Sequence, residues 1–308
     1  MFKTDFIDLH CDTTTRVETL DTKGAAFALS NLPKGSIWTQ FCAIFVPDDY
    51  RGDAAVEYYE KYVSHFYSEC EKHSDKAMRC VTFEDIKTAH KNGKHALILT
   101  IEGGAALKGD MSRVEKIRQD GVRAVTLVWN GENEIASGIY NPDKGFTDFG
   151  RKLVPALEDA GILIDVSHLN DKGFEELCTM AKKPFIATHS NSRTVTNHRR
   201  NLTDSFIKEI ISRGGLIGIN YGNAFLTERE GRANFDDMYR HVDYMLSLGC
   251  ENTLALGSDF DGTPLPEGLE DASKLPDVCD YLLSRGIKEE VLSKITFSNA
   301  MRFFEKYL

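Results

Sequence analysis

Eight apolar runs of strand length recur along the chain, at residues 6–12, 37–46, 96–104, 122–130, 162–168, 185–190, 216–222 and 253–262. Most are nearly continuous in Val, Ile, Leu and Ala. A strand with one wet face alternates polar and apolar residues, whereas a strand covered on both faces has no polar side to show. Segments with helical spacing lie between the runs. The stretch 56–73, VEYYEKYVSHFYSECEKH, carries its aromatics three and four apart, as one buried helix face. FEDIKTAHKNG (83–93), MSRVEKIRQDG (111–121), RKLVPALEDAG (151–161) and LTDSFIKEIISRGG (202–215) all end in glycine, which closes helices in the left-handed conformation. FDDMYRHVDYMLSLG (235–249) and KEEVLSKITFSNAMRFFEKYL (288–308) complete the set. A regular alternation without a low-complexity linker predicts an α/β chain, a (β/α)8 TIM-type barrel with residues 1–308 as a single domain. A doubly wound open sheet would use the same elements, but eight strands of similar character favour closure.

Composition narrows the function. The 308 residues carry a net charge of −10 with no long run of either sign, which argues against nucleic acid or an anionic membrane as partner. No run approaches the ~18 apolar residues of a membrane helix. The first residues lack a basic stretch followed by an apolar one, so no secretory leader is expected. The seven cysteines are odd in number, and no pair has C-x-x-C spacing. Together these predict a reduced, cytoplasmic protein whose cysteines act as small buried hydrophobes.

The C-terminal ends of barrel strands form one rim, where barrel enzymes build their sites. Here that rim carries His10, Asp12, Glu102, Asn130, His168, His189, Asp259 and Asp261. Each alone has an ordinary explanation: a satisfied histidine, a helix cap, an Asp-Gly turn. Independent structural roles do not predict that most rim positions be ligand types. Imidazole nitrogens and carboxylate oxygens suit Zn²⁺ or a similar divalent ion. Five ligands exceed one tetrahedral zinc with an open position, so a carboxylate shared by two ions fits better, and Glu102, between the others in strand order, is the natural bridge. Cys11, between His10 and Asp12, should turn its thiol away into the barrel wall.

Five segments resemble the membrane dipeptidase (renal dipeptidase) family of binuclear zinc peptidases, amidohydrolase-like barrels. They are Asp8-Leu9-His10-Cys11-Asp12, Ile101-Glu102-Gly103, Asp165-Val166-Ser167-His168, Thr188-His189-Ser190 with Arg199-Arg200-Asn201, and Gly257 to Gly262. The resemblance implies that His10, Asp12 and Glu102 hold one zinc and that Glu102, His168 and His189 hold the other. It implies that Arg200 binds a substrate carboxylate, that Asp259 transfers protons and that Asp261 is structural. Some relatives carry a histidine against the scissile carbonyl where this chain has Trp129. Trp129 is then a pocket wall, with Asn130 or Asn133 making the polar contact, and Tyr221 is a further candidate for the substrate. The implied activity is hydrolysis of dipeptides, including those with a C-terminal D-residue, by a small-peptide enzyme compatible with a homodimer. The alternative is a barrel hydrolase of another amide or a lactone, such as an N-acyl amino acid. A deaminase-type relative would usually show H-x-H on the first strand, where this chain has His10-x-Asp12.

Overall fold

The computed structural model describes residues 4–308. Its strands are β1 (Phe6–Cys11), β2 (Trp38–Phe45), β3 (Ala77–Arg79), β4 (His95–Glu102), β5 (Ala124–Thr126), β6 (Leu163–Asp165), β7 (Ile217–Ile219) and β8 (Leu254–Leu256). All pair in parallel, in the order β6-β5-β4-β2-β1-β8-β7, and β3 adds to the edge of β4. The curled sheet meets itself through residues 185–190. Ile186 bridges Asp165 of β6 and Ala187 bridges Ile217 of β7. Seven strands and this segment make the eight staves of a TIM-like barrel. Each stave is one of the eight apolar runs.

Alternate residues of the staves fill the lumen. Ile7, Leu9, Phe41, Ala96, Ile98, Ala124, Leu163, Ile186 and Ala255 form one buried cluster, and Phe303 and Phe304 of the C-terminal helix Asn299–Tyr307 join it. Phe304 stacks on Phe41 with centroids 5.2 Å apart, so this helix plugs one end of the barrel. The intervening residues, such as Leu97, Leu99 and Ile101, pack outward in the larger cluster beneath the surrounding helices. Closure at the 185–190 stave needs two residues without side chains. A Cβ on Gly218 or Gly257 would overlap the carbonyl oxygen of Thr188.

The helices follow the sequence pattern. The aromatic stretch lies in Gly52–Lys72, and Phe83–Lys91 ends just before Gly93, whose φ is +69°. Among the described residues all seven cysteines are free thiols, six of them buried. No helix of the described residues is long and apolar enough to cross a membrane.

The loop after β8 is tied to the start of the chain by Asp261. Its carboxylate accepts from the Thr13 hydroxyl at 2.5 Å and from the backbone of Ala26 at 2.7 Å and Phe27 at 3.3 Å. Asp261→Ala should lower unfolding stability by about 2–4 kcal/mol, since these are hydrogen bonds to a charged acceptor. Urea titration followed by tryptophan fluorescence measures this, and an unchanged midpoint would contradict the clamp.

Candidate metal centre

The first two candidate ligands owe their aim to an irregular strand. In β1, Asp8 pairs with Gln40 and Cys11 with Cys42, so three steps on β1 match two on β2. The extra residue is a bulge, a device that re-aims side chains beside functional sites. It lets Leu9 join the lumen cluster while His10, next in sequence, also turns inward. Simple two-residue alternation does not account for the pair, because β1 ends at Cys11 and Asp12 lies beyond it. Cys11 itself is buried in the outer core, as the sequence suggests.

Glu102 ends β4, and its two oxygens face different partners. Oε2 lies 3.6 Å from His10 Nε2, which is itself 3.6 Å from Asp12 Oδ1. Oε1 lies 2.7 Å from His168 Nε2 and 3.5 Å from His189 Nε2, and those two nitrogens are 3.1 Å apart. Ligand atoms about 2.0–2.2 Å from one tetrahedral ion stand roughly 3.3–3.6 Å from each other. His10 Nε2, Asp12 Oδ1 and Glu102 Oε2 are buried and have no hydrogen-bond partner. Buried polar atoms are almost always satisfied, so three orphans facing one another fit a cation. Asp259 also faces this group, 4.0 Å from His10 Nε2.

Outer contacts fix the ring orientations. His168 Nδ1 donates to Asn130 Oδ1 at 2.9 Å. His189 Nδ1 lies 2.7 Å from the Thr188 hydroxyl, which donates to Asp165 at 2.6 Å and so accepts from the ring. Both arrangements put the proton on Nδ1 and leave Nε2 as a lone pair toward Glu102. Burial, helped by the positive charge of Arg200, pushes His168 down to about 4, and burial with the His10 charge pushes His189 well down too. Both rings are neutral at physiological pH. Around His10 the balance differs. Burial opposes its charge, but Glu102 and Asp12 together raise its pKa. Burial and the Glu102 charge raise Asp12 to about 8. The group attracts positive charge.

Backbone strain concentrates here. Four non-glycine residues among those described have positive φ, and His168 (+71°), Asp259 (+61°) and Asp261 (+64°) are three of them. Gly262 allows the close approach, because a Cβ there would overlap Asp12 Oδ2 and Asp259 Oδ1.

A cavity of about 300 Å³ opens above these groups, and Trp129, Asn130 and Arg200 line it. Trp129 packs edge-on against Phe45, centroids 5.0 Å apart. Arg200 is 5 % exposed, while its neighbour Arg199 is exposed. The Arg200 guanidinium sits 5.5 Å over the Phe225 ring, makes one long bond to the His189 carbonyl (3.4 Å) and has an unpartnered Nε. Among the described residues no carboxylate pairs with it directly. A buried cation in this state suits an anionic ligand.

Two candidates fall elsewhere. Tyr221 does not reach the cavity. Its side chain is buried in the outer core, edge-on to Phe260 at 5.7 Å. Its neighbour Asn220 turns the other way, and its amide donates to Asp259 Oδ2 at 3.0 Å. Period-two alternation past β7 carries that signal: it turns Asn220 toward the rim and Tyr221 into the core. Asn133 folds its own loop, donating to Leu127 and accepting from Ile135. Asn130 lines the cavity, but its side-chain oxygen is engaged by His168.

A sequence model of the family described as membrane dipeptidase (peptidase family M19) matches residues 1–307. The chain belongs to that family. An uncharacterized protein in the pqqA 5′ region of Klebsiella pneumoniae is 35% identical over 234 residues, 72% of this chain and 86% of that protein. An uncharacterized dipeptidase of Schizosaccharomyces pombe is 29% identical over 229 residues, 72% of this chain and 55% of its own length. A solved dipeptidase described as an M19 metallo peptidase superposes with a TM-score of 0.93 at 27% identity, covering 99% of this chain and 98% of its own. A metallo peptidase from Rhodobacter sphaeroides, liganded with a phosphinate mimic of the dipeptide L-Ala-D-Ala, gives 0.93 at 26% identity, covering 99% of each chain.

The Asn130 contact is testable apart from catalysis. Asn130→Ala should weaken binding of divalent metal about 10- to 100-fold, the usual effect of removing the group that orients a ligating histidine. Competition with a chromophoric chelator measures it, and an unchanged affinity would show that Asn130 does not position His168.

Proposed function

We propose that this M19 member is a dipeptidase that works with two divalent ions, most simply zinc. His10, Asp12 and Glu102 would hold one ion, and Glu102, His168 and His189 the other. The observation that carries this is the Glu102 carboxylate, whose two oxygens face two separate ligand groups. When bound, such ions supply a nucleophilic water near neutral pH and polarise the carbonyl under attack.

The chain's own groups supply the rest. Asp259, whose pKa burial raises despite the opposing His10 charge, accepts the proton of the attacking water and passes it to the leaving amine. Asn220 holds that carboxylate in place. Arg200 pairs through its planar fork with the substrate's C-terminal carboxylate, a contact that favours short substrates with a free end. Trp129 closes one wall of the cavity, where a histidine would add a polar group. Cleavage of substrates with a C-terminal D-residue is part of the proposal, supported by the L-Ala-D-Ala mimic bound to the Rhodobacter relative.

The carboxylate clamp separates a dipeptidase from a barrel hydrolase of lactones or other amides. Arg200→Ala should lower kcat/KM on a dipeptide on the order of thirty-fold or more, corresponding to ~2–5 kcal/mol for one partner of a buried charged contact. Lysine should not restore it. Amidating the C-terminus should harm the wild type far more than the mutant. If the wild type cleaves the amide as fast as the acid, the clamp is wrong and the substrate lies in another class.

A further inference from the structure

Two unpaired arginines face the cavity, and the proposed reaction uses only one. Arg16 ends the short helix Thr13–Arg16 after β1 and lines the same space as Arg200. Its guanidinium lies 5.1 Å over the Phe45 ring, which in turn meets the edge of Trp129. Among the described residues no carboxylate lies within ion-pair distance of it, although most surface arginines here have one, such as Arg118 with Glu115 and Arg193 with Asp171. Stacking on a ring holds a long side chain in one orientation without neutralising it.

The barrel places the two arginines on opposite walls. Phe45 ends β2, and Arg200 reaches back to His189 of the 185–190 stave. Counting round the barrel from β2 through β4, β5 and β6, that stave is the fourth, halfway round eight. If Arg200 holds the C-terminal carboxylate, the amino-terminal residue of a dipeptide lying across the metal ligands extends toward Phe45, Trp129 and Arg16. The carboxylates that line the cavity, Asp12, Glu102 and Asp259, are all committed to the metal group.

We propose, resting on the dipeptidase reading, that Arg16 selects substrates whose amino-terminal residue carries a carboxylate side chain, aspartyl or glutamyl dipeptides. The planar fork can pair with that carboxylate while the Phe45 ring supports the guanidinium from below. Arg16 is exposed, so the preference is modest and salt-sensitive.

The test compares isosteric substrates on the metal-loaded enzyme. Wild type should cleave Glu-Ala about fivefold better than Gln-Ala, mainly through KM, and the ratio should shrink in high salt. Arg16→Gln should bring the ratio to about one. Arg16→Glu should instead favour Lys-Ala over Gln-Ala, a reversal that no loss of packing would produce. Equal rates for Glu-Ala and Gln-Ala in the wild type would overturn the proposal. So would a preference that survives Arg16→Gln, or one that follows Arg16 only for Ala-Glu over Ala-Gln. Failure of the underlying reading looks different, because then no dipeptide, Ala-Ala included, is hydrolysed.

Discussion

One buried carboxylate organises this molecule's rim. Glu102 is 2 % exposed at the end of a strand, with three imidazoles and a second carboxylate gathered round it. An isolated ionised carboxylate in such a place would be costly, and burial alone would raise its pKa. Its pKa nevertheless falls well below the usual carboxylate value, because the neighbouring histidines, with the His10 charge foremost, together outweigh burial. Its two oxygens divide the histidines into a group on the β1 side and a group on the β6 side. The barrel makes that division possible by bringing strand ends distant in sequence to one point.

The surrounding structure holds the group at a cost in local strain. His168 and Asp259 adopt left-handed backbone, and the bulge in β1 gives up regular pairing to turn His10 inward. Gly262 leaves room for Asp12 and Asp259 to approach. Outside this cluster lies a layer of ordinary hydrogen bonds, through Asn130, Thr188, Asp165 and Asn220, which sets the ring orientations and the Asp259 carboxylate. Preorganised ligands need that support, because a metal site loose by an ångström loses both affinity and rate.

Much of this was legible in the sequence, for physical reasons. Strands buried on both faces must be apolar throughout, so the eight runs marked eight staves. A polar residue that ends such a run has only the rim to occupy, which is why His10, Glu102, His168 and His189 stood out. What the sequence hid depends on geometry off the regular lattice. β3, with the mixed sequence Ala-Met-Arg, carries no apolar run to mark it as a strand. The 185–190 stave reads as a strand, yet it pairs through single bridges to β6 and β7. Tyr221 and Asn220 differ only in which way the chain faces past β7, and composition favours the aromatic as a contact residue. Asn130 promised a substrate contact, but its position relative to His168 depends on the fold of the 130–146 loop.

The most direct test counts metal ions. Inductively coupled plasma mass spectrometry on the purified protein, after dialysis against zinc and then metal-free buffer, should find about two equivalents per chain. Glu102→Gln should retain at most one and lose nearly all dipeptide hydrolysis, while circular dichroism shows the barrel intact. Two equivalents retained by Glu102→Gln would contradict a bridging carboxylate, and one equivalent in a fully active wild type would contradict the pair.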